Sequence, residues 1–300
     1  MSQTKPPAQG APNVGAGPVA VLVVLCAIWG LQQVAIKVAN TDISPVLQAG
    51  FRSLGAVALL MTWAAFRGQH LIGGRADWPS ALAIGLLFTS NHVLLFIGLD
   101  LTSASRGVVL YYTAPFFVAL GAHLAVPGER LSARAVLGMG MAFVGTALVL
   151  GGRSGDADTG QFLGDLICIA AALTWAVTLV TIKASPLVRA PAASILFYQL
   201  AISAVFLPVI SWGLGEDGVS SPSMLTLGAM AYQIVIVAFL SYLTTFWFLK
   251  RYPAANLSSF FFLTPVFGVI AGVTLLGEPF SAGFIAGATL VAAGIYVVNS

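Results

Sequence analysis

The chain has 300 residues and a formal net charge of +3. Hydrophobic residues make up 58% of it and charged residues only 8%, whereas a soluble domain carries about a quarter charged residues. This composition excludes a soluble globular domain. The basic residues stand at the ends of apolar stretches rather than in one patch, which argues against nucleic-acid binding. The sequence therefore predicts a polytopic membrane protein.

Residues 1–17 are rich in Pro, Gly and Ala and carry one charge, Lys5, which predicts a disordered cytoplasmic tail. Apolar stretches of about 20 residues follow, each long enough at about 1.5 Å per residue to cross a hydrocarbon layer of about 30 Å. Because backbone polar groups in lipid must be satisfied internally, we predict an all-α membrane protein. The ten predicted transmembrane helices are 18–38, 45–66, 78–99, 104–126, 132–150, 161–184, 191–214, 223–249, 254–276 and 280–298.

The connections between these spans are too short for a nucleotide-binding domain, and the phosphate-loop pattern G-x-x-x-x-G-K-[ST] does not occur. The two cysteines, Cys26 and Cys168, fall inside predicted spans, and no metal-ligand motif is present. We therefore expect no cofactor and no metal. ATP hydrolysis within this chain does not drive whatever the protein does.

The lysines and arginines indicate the orientation of the spans. With the N-terminus in the cytoplasm, nine of them fall on the cytoplasmic side and three on the other side, while Arg52 falls within a span. Cytoplasmic loops carry the excess of Lys and Arg in membrane proteins. The sequence therefore predicts that both termini are cytoplasmic, an N-in/C-in topology.

Two corresponding prolines and glutamates indicate that the second half of the chain repeats the first. Pro115 precedes Glu129 by 14 residues, and Pro265 precedes Glu278 by 13. Two glycines of the fifth span also match two glycines of the tenth span. The offset along the chain between them is the same as the offset between Glu129 and Glu278. The four glycines are Gly138, Gly145, Gly287 and Gly294.

The start of each half supports the same division, since WGLQQVAIK at 29–37 matches WAVTLVTIK at 175–183. We predict two five-helix repeats, residues 18–150 and 151–300. Because five is odd, the second repeat must enter the membrane upside down relative to the first. Inverted repeats of this kind are typical of transporters.

The paired prolines and glutamates have structural interpretations. Pro115 and Pro265 each remove a backbone donor from an apolar helix, so they are either hinges of a moving cavity or static kinks, and both interpretations stay open. Glu129 and Glu278 stand just before the fifth and tenth spans. A carboxylate there complements a helix N-terminus, so we predict that they cap those two helices.

The motifs together resemble the drug/metabolite transporter superfamily, in its EamA-type ten-helix branch, over residues 18–298. The features that carry this resemblance are Trp29, Gly30, Ile36, Lys37, Arg52, the run 128–132 and its echo at 277–281. Within the branch, the chain is similar to bacterial inner-membrane exporters of amino acids, including aromatic amino acids, and of related metabolites or cationic drugs. The resemblance implies a secondary transporter in the bacterial cell inner membrane, without a cofactor. It also implies a central cavity lined by the first, third, fourth, sixth, eighth and ninth helices.

Polar and aromatic side chains interrupt those six helices, and a polar group in lipid is costly unless it faces protein or water. At an offset of 150 residues, Asn91 corresponds to Ser241 and His92 to Tyr242, which places polar groups of both repeats at equivalent depths. The predicted substrate-binding residues are Trp29, Gln33, Asn91, His92, Tyr111, Tyr112, Trp175, Thr178, Ser241 and Tyr242.

Several of these residues have a second interpretation. Trp29 and Trp175 could pack between helices, and Asn91 and His92 could hydrogen-bond one helix to another. His92 could also carry a coupling proton. Arg52 lies about 10 Å into the bilayer, where we place a structural pair or snorkelling ahead of contact with a substrate carboxylate.

These observations predict a transporter rather than an enzyme, exporting small metabolites by alternating access. Amino acids, and aromatic ones above all, are the expected substrates. No acidic residue lies mid-membrane, which favours zwitterionic or neutral cargo. Export of cationic drugs and antiport of nucleotide sugars or phosphate esters are the alternatives. The expected partners are the small-molecule substrate and the lipid bilayer, and a monomer is the expected state.

Overall fold

A computed structural model describes residues 16–74, 77–126, 131–151, 159–249, 260–261, 263–279 and 281–299. Throughout these residues the secondary structure is helical, and the one β-bridge is an isolated pairing of Ile43 with Val219. A π-helical segment, Tyr232–Ser241, joins two of the α-helices. The α-helices are α1 (Ala16–Asn40), α2 (Pro45–Phe66), α3 (Trp78–Leu101), α4 (Ala104–Tyr111), α5 (Ala114–Ala125), α6 (Ala133–Gly151), α7 (Thr159–Lys183), α8 (Ala192–Leu214), α9 (Met224–Ala231), α10 (Tyr242–Leu249), α11 (Leu263–Leu276) and α12 (Ala282–Asn299).

Eight helical stretches in the described residues are long and apolar enough to cross a membrane. They are α1, α2, α3, α4 with α5, α6, α7, α8, and α9 with the π segment and the start of α10. The prediction of an all-α, multi-pass membrane protein is confirmed, and these stretches coincide with the first eight predicted spans. α11 and α12 are shorter apolar helices at the positions of the last two. The tail at 1–15, Glu129 and the start of the predicted ninth span lie outside the described residues.

Local chemistry explains where several helices begin. Pro45 stands in the first turn of α2, where its missing N–H has no partner to lose. Ser103 caps α4 by accepting a hydrogen bond from the Arg106 amide at 3.2 Å. Ser223 caps α9 in the same way, accepting from the Thr226 amide at 3.1 Å.

Both repeat prolines stand in the first turn of a helical segment. Pro115 follows a break at Tyr112 and Thr113 that divides the predicted fourth span into α4 and α5. Pro265 is the third residue of α11, directly after a turn that includes Phe261. Each proline therefore starts a new segment after a bend, a position where proline is tolerated.

Glu278 caps a different helix from the one that its position in the sequence predicts. Its carboxylate accepts hydrogen bonds from the amides of Ala104 at 2.6 Å and Ser105 at 2.8 Å, in the first turn of α4. Glu278 therefore complements the positive end of α4, not that of α12 which follows it. Glu216 does the same for α2, through the amides of Val46 and Leu47.

Candidate functional site

A cavity of about 670 Å³ lies between the helices. Its described lining is mostly apolar and aromatic, with a few polar groups, which is the usual make-up of a small-molecule site. The lining residues are Leu22, Leu25, Trp29, Gln32, Gln33, Arg52, Phe88, Asn91, His92, Leu95, Tyr111, Tyr112, Ala114, Pro115, Val118, Ala119, Trp175, Leu179, Ile182, Ala192, Ile195, Leu196, Gln199, Tyr242, Thr245, Phe248, Phe261 and Val298.

The cavity brings together most of the residues that the sequence predicts for substrate binding. The predicted residues that line it are Trp29, Gln33, Asn91, His92, Tyr111, Tyr112, Trp175 and Tyr242, with Pro115 of the hinge pair. Thr178 and Ser241 are buried outside the lining, and each donates its hydroxyl to the carbonyl one turn earlier in its helix. Pro265 lies against a separate groove between α11 and α12.

Ser241 nevertheless supports the wall of the cavity. Its hydroxyl accepts a hydrogen bond from the indole nitrogen of Trp29 at 2.9 Å. This bond fixes the Trp29 ring of α1 against the end of the π segment. The ring of Phe261 stands edge-on to Trp29, with 5.5 Å between the ring centroids. These two contacts therefore hold the Trp29 side chain in one orientation in the cavity wall.

Asn91, in the cavity lining, links three helices. Its side-chain nitrogen donates to the backbone carbonyl of Ala171 on α7 at 2.7 Å. Its side-chain oxygen accepts from the Tyr111 hydroxyl of α4 at 3.4 Å. Both sides of the amide are thus engaged by the protein, as expected for a polar group that joins helices in a membrane.

A second part of the cavity wall is also aromatic. Phe88 of α3 lies between His92 and Trp175, with ring centroids 4.1 Å and 6.3 Å away respectively. Aromatic faces of this kind can stack on a planar ring or attract a cation. The wall therefore suits cargo that carries an apolar or aromatic side chain.

Arg52 carries the one positive formal charge in the described cavity lining. Close packing of α2 against its neighbours buries this side chain beside the cavity. Gly50 and Gly55, on either side of Arg52, let α2 approach its neighbours. A β-carbon at Gly50 would lie 3.0 Å from the Pro208 ring of α8, and one at Gly55 would lie 2.8 Å from Ile234 in the π segment. Arg52 is thereby buried, with only 2% of its surface exposed.

The hydrogen bonds of His92 define its tautomer. Its Nδ1 lies 2.9 Å from the backbone carbonyl of Phe88, which can only accept a hydrogen bond, so Nδ1 carries the proton. Its Nε2 contacts Nη1 of Arg52, which can only donate, so Nε2 accepts. His92 is therefore a neutral imidazole that orients the guanidinium of Arg52.

The described lining of the cavity extends to one end of the helix bundle. Its lining includes Ile182 near the end of α7, Ala192 at the start of α8 and Val298 near the end of α12. These three positions lie at the same end of the bundle. Toward the other end, the lining stops near Gln33 and Arg52.

Buried polar contacts hold the helices together at the other end of the bundle, which we call the closed end. The Nε of Arg106 lies 3.1 Å from both carboxylate oxygens of Asp165, and Thr102 donates to the same carboxylate at 2.6 Å. The amine of Lys37 donates to the carbonyls of Leu99 and Thr102 at 2.9 and 2.6 Å. These contacts tie the end of α3 and the start of α4 to α7 and α1.

Three lining helices were not expected. The resemblance implies a lining formed by the first, third, fourth, sixth, eighth and ninth predicted spans. The cavity is also lined by Arg52 of α2 (the second span), Gln199 of α8 (the seventh span) and Val298 of α12 (the tenth span). Arg52 and Gln199 each place a polar group within an apolar span, so a search of every span for such groups would have found these two.

A multi-pass, all-α membrane protein with an aromatic central cavity reached from one end has the architecture of a small-molecule transporter. The family model of the EamA-like transporter family matches residues 17–151 and again residues 162–300, and the chain belongs to this family. The resemblance predicted from the motifs is confirmed, and the family is one of transporters rather than enzymes.

Similar proteins extend over nearly the whole chain. The probable amino-acid metabolite efflux pump of Salmonella typhimurium is 28% identical over 94% of this chain and 93% of its own length. An uncharacterized transporter of Archaeoglobus fulgidus is 29% identical over 93% and 97%. A solved crystal structure with 18% identity superposes with a TM-score of 0.69, covering 94% of this chain and 96% of that one, which shows that the two share a fold.

Proposed function

We propose that this protein is a secondary-active transporter of the bacterial inner membrane that exports small metabolites, with amino acids, and aromatic ones in particular, as the favoured cargo. The observation that carries the proposal is the cavity of about 670 Å³, which reaches one end of the bundle and has aromatic walls around one buried cation. Its volume falls within the range of about 300–1,000 Å³ that is usual for small-molecule sites.

Alternating access is the proposed mechanism. The chain would form ten transmembrane helices in two inverted repeats, residues 18–150 and 151–300, with both termini in the cytoplasm. The two successive matches to one family model support the repeats. In this topology the open end faces the cytoplasm and the Arg106–Asp165 end faces outward. Cargo would enter from the cytoplasm, and the outer contacts would then separate around Pro115 and Pro265 as hinges.

An amino acid fits the chemistry of the cavity better than the alternatives do. Its side chain can stack on Trp29, Phe88 or Trp175, and its charged ends need polar groups, which Arg52 and Gln33 supply. The relative from Salmonella typhimurium is named as a probable amino-acid metabolite efflux pump, which supports the same choice.

The charges of the lining weigh against the other cargoes. A cationic drug calls for a carboxylate, and the described lining has none. A phosphate ester carries about two negative charges and calls for more than one cation. Arg52 is the one lysine or arginine in the described lining, because the Lys37 amine is held by the carbonyls of Leu99 and Thr102.

Uptake into proteoliposomes tests the proposal. Wild-type protein is reconstituted, and exchange of radiolabelled phenylalanine, tryptophan, alanine and a nucleotide sugar is measured. Saturable transport of the aromatic amino acids that is lost in Trp175→Ala is the expected result. Trp212→Ala is the matched control, since Trp212 is 84% exposed on α8 and does not line the cavity. Transport of the nucleotide sugar alone, or of no substrate at all, would overturn the proposal.

A further inference from the structure

Arg52 combines deep burial with incomplete pairing. Its guanidinium offers five N–H donors and no acceptor. The Nη1 group donates a hydrogen bond to the unprotonated Nε2 of His92, and the Tyr242 hydroxyl is a second hydrogen-bond partner of the guanidinium. The Nε donor is buried and has no hydrogen-bond partner. Among the residues that the structure describes, no carboxylate forms an ion pair with Arg52.

A second buried arginine in the same chain shows what a structural pair looks like here. Arg106 is 6% exposed, and its guanidinium faces the carboxylate of Asp165 with both oxygens within hydrogen-bond distance. The fold therefore supplies a counter-charge where a buried arginine holds helices together. For Arg52, the arginine that lines the cavity, the described residues supply no such counter-charge. A buried charge without a counter-charge is expensive, so the charge at Arg52 calls for an anion that arrives from outside the fold.

The guanidinium also determines which anion fits. Its planar fork matches the two oxygens of a carboxylate, with two parallel N–H···O bonds. His92 stays neutral in this arrangement, so the site offers one positive charge for one negative charge. We infer that Arg52 binds the carboxylate group of the transported molecule and thereby selects carboxylic acids over amines and amides. This inference rests on the proposed transport function and deepens it.

A second unsatisfied group in the cavity fits the other end of an amino acid. The side-chain oxygen of Gln33 is buried and has no hydrogen-bond partner within the described part of the chain. Gln33 lines the cavity from α1, whereas Arg52 lines it from α2. An acceptor on one helix and a cationic donor on another suit a zwitterion, with the ammonium at Gln33 and the carboxylate at Arg52.

A ligand series on the wild-type full-length chain is the first arm of the test. Binding to purified protein is measured by calorimetry for phenylalanine, for 3-phenylpropionate, which lacks the ammonium group, and for phenethylamine, which lacks the carboxylate. Leucine, 4-methylpentanoate and isoamylamine form a parallel aliphatic series. We expect each amine to bind roughly 10- to 100-fold more weakly than its amino acid, as for the loss of a charge-assisted hydrogen bond. Amines that bind as tightly as the amino acids, or the absence of carboxylate binding in both series, would overturn the inference.

Substitutions are the second arm. In Arg52→Gln, the affinity for phenylalanine should fall toward that of phenethylamine, so that the preference for the carboxylate disappears. Arg52→Lys keeps the charge but loses the fork, so its affinity should lie between the two. Arg67→Gln, at the exposed end of the same helix, is the matched control for loss of one positive charge. If Arg52→Gln folds and keeps the wild-type affinity for phenylalanine and the wild-type preference for carboxylates over amines, Arg52 is not the carboxylate site. If this variant does not fold, the ligand series on the wild-type protein decides whether the cavity selects carboxylates.

The two arms separate this inference from the proposed function. If wild-type protein binds carboxylates through Arg52 but moves none of them across a liposome membrane, the carboxylate site stands and the transport function fails. If it transports amino acids equally well with Arg52→Gln, the transport function stands and the carboxylate site fails.

Discussion

Gly145 on α6 packs against the backbone of Gly287 on α12 so closely that a β-carbon at position 145 would lie 2.7 Å from the Gly287 carbonyl oxygen. Gly138 and Gly294 form a second contact of the same kind, also at 2.7 Å. Under the predicted repeat, Gly138 corresponds to Gly287 and Gly145 to Gly294. A two-fold axis relating the repeats would exchange these two contacts, and their equality therefore supports the proposed symmetry.

This contact leads to a prediction about stability. Gly145→Val places side-chain atoms where the Gly287 carbonyl stands, so α6 and α12 must separate. We expect a loss of about 1–3 kcal/mol, as for other overpacked interiors, seen as a lower melting temperature in detergent.

Gly140→Val is the matched control for the Gly145 variant. Gly140 lies on the same helix, and no atom comes within 4 Å of a β-carbon placed there. The control should melt like the wild type. Equal losses in the two variants would contradict the close contact of α6 with α12, because they would reflect only the effect of valine on the helix itself.

The sequence predicts the elements of this fold better than their contacts. Span lengths and apolar runs are local properties, so eight of the predicted spans coincide with helices of sufficient length. The partner of Glu278 is not local, because its carboxylate contacts amides at positions 104 and 105, far along the chain. Thr178 and Ser241 illustrate a second limit. Their polar character identifies them, but whether a side chain points into the cavity depends on the rotation of its helix, which an almost uniformly apolar helix does not reveal.

The cap at Glu278 yields a second prediction. Glu278→Ala removes the acceptor of the Ala104 and Ser105 amides, which then lie unpaired at a buried helix start. We expect a loss of about 0.5–2 kcal/mol in stability, the usual range for a helix cap. Glu278→Gln keeps one acceptor oxygen and should lose less. Thermal unfolding of both variants in detergent checks this order, and a glutamine variant less stable than the alanine variant would contradict it.

Asp42, in the turn between α1 and α2, predicts a pH dependence. The Ser223 amide and the Thr226 hydroxyl both donate to its carboxylate, which lowers the pKa of Asp42 below its ordinary value. The stabilisation by Asp42 is therefore complete above that ordinary pKa, about 3.9, and is lost as the pH falls through the lower pKa of the folded state. The melting temperatures of wild type and Asp42→Asn should differ at neutral pH and converge on acidification. The exposed Asp217→Asn serves as the control, and a gap that widens in acid would contradict the prediction.

The Arg106–Asp165 pair predicts how the closed end of the cavity opens. Asp165→Asn removes the counter-charge of Arg106, which should weaken the closed end and favour its opening. Cys168 reports on this change, since it lies one turn along α7 from Asp165 and is fully buried. In a Cys26→Ser background, a membrane-impermeant maleimide should label Cys168 several-fold faster in Asp165→Asn than in the parent. Equal labelling rates would indicate that the pair does not hold this end closed.

Arg52 and Arg106 should respond in opposite ways to the same substitution. Arg106→Met leaves the Asp165 carboxylate buried without its cation, which costs about 3–5 kcal/mol when a buried pair is broken. Arg52→Met removes a buried cation whose Nε has no partner, and among the described residues it leaves no carboxylate without its cation. We therefore expect ligand-free Arg106→Met to melt well below the wild type and Arg52→Met to melt no lower than the wild type. A similar fall in both melting temperatures would mean that Arg52 is held for stability rather than for its cargo.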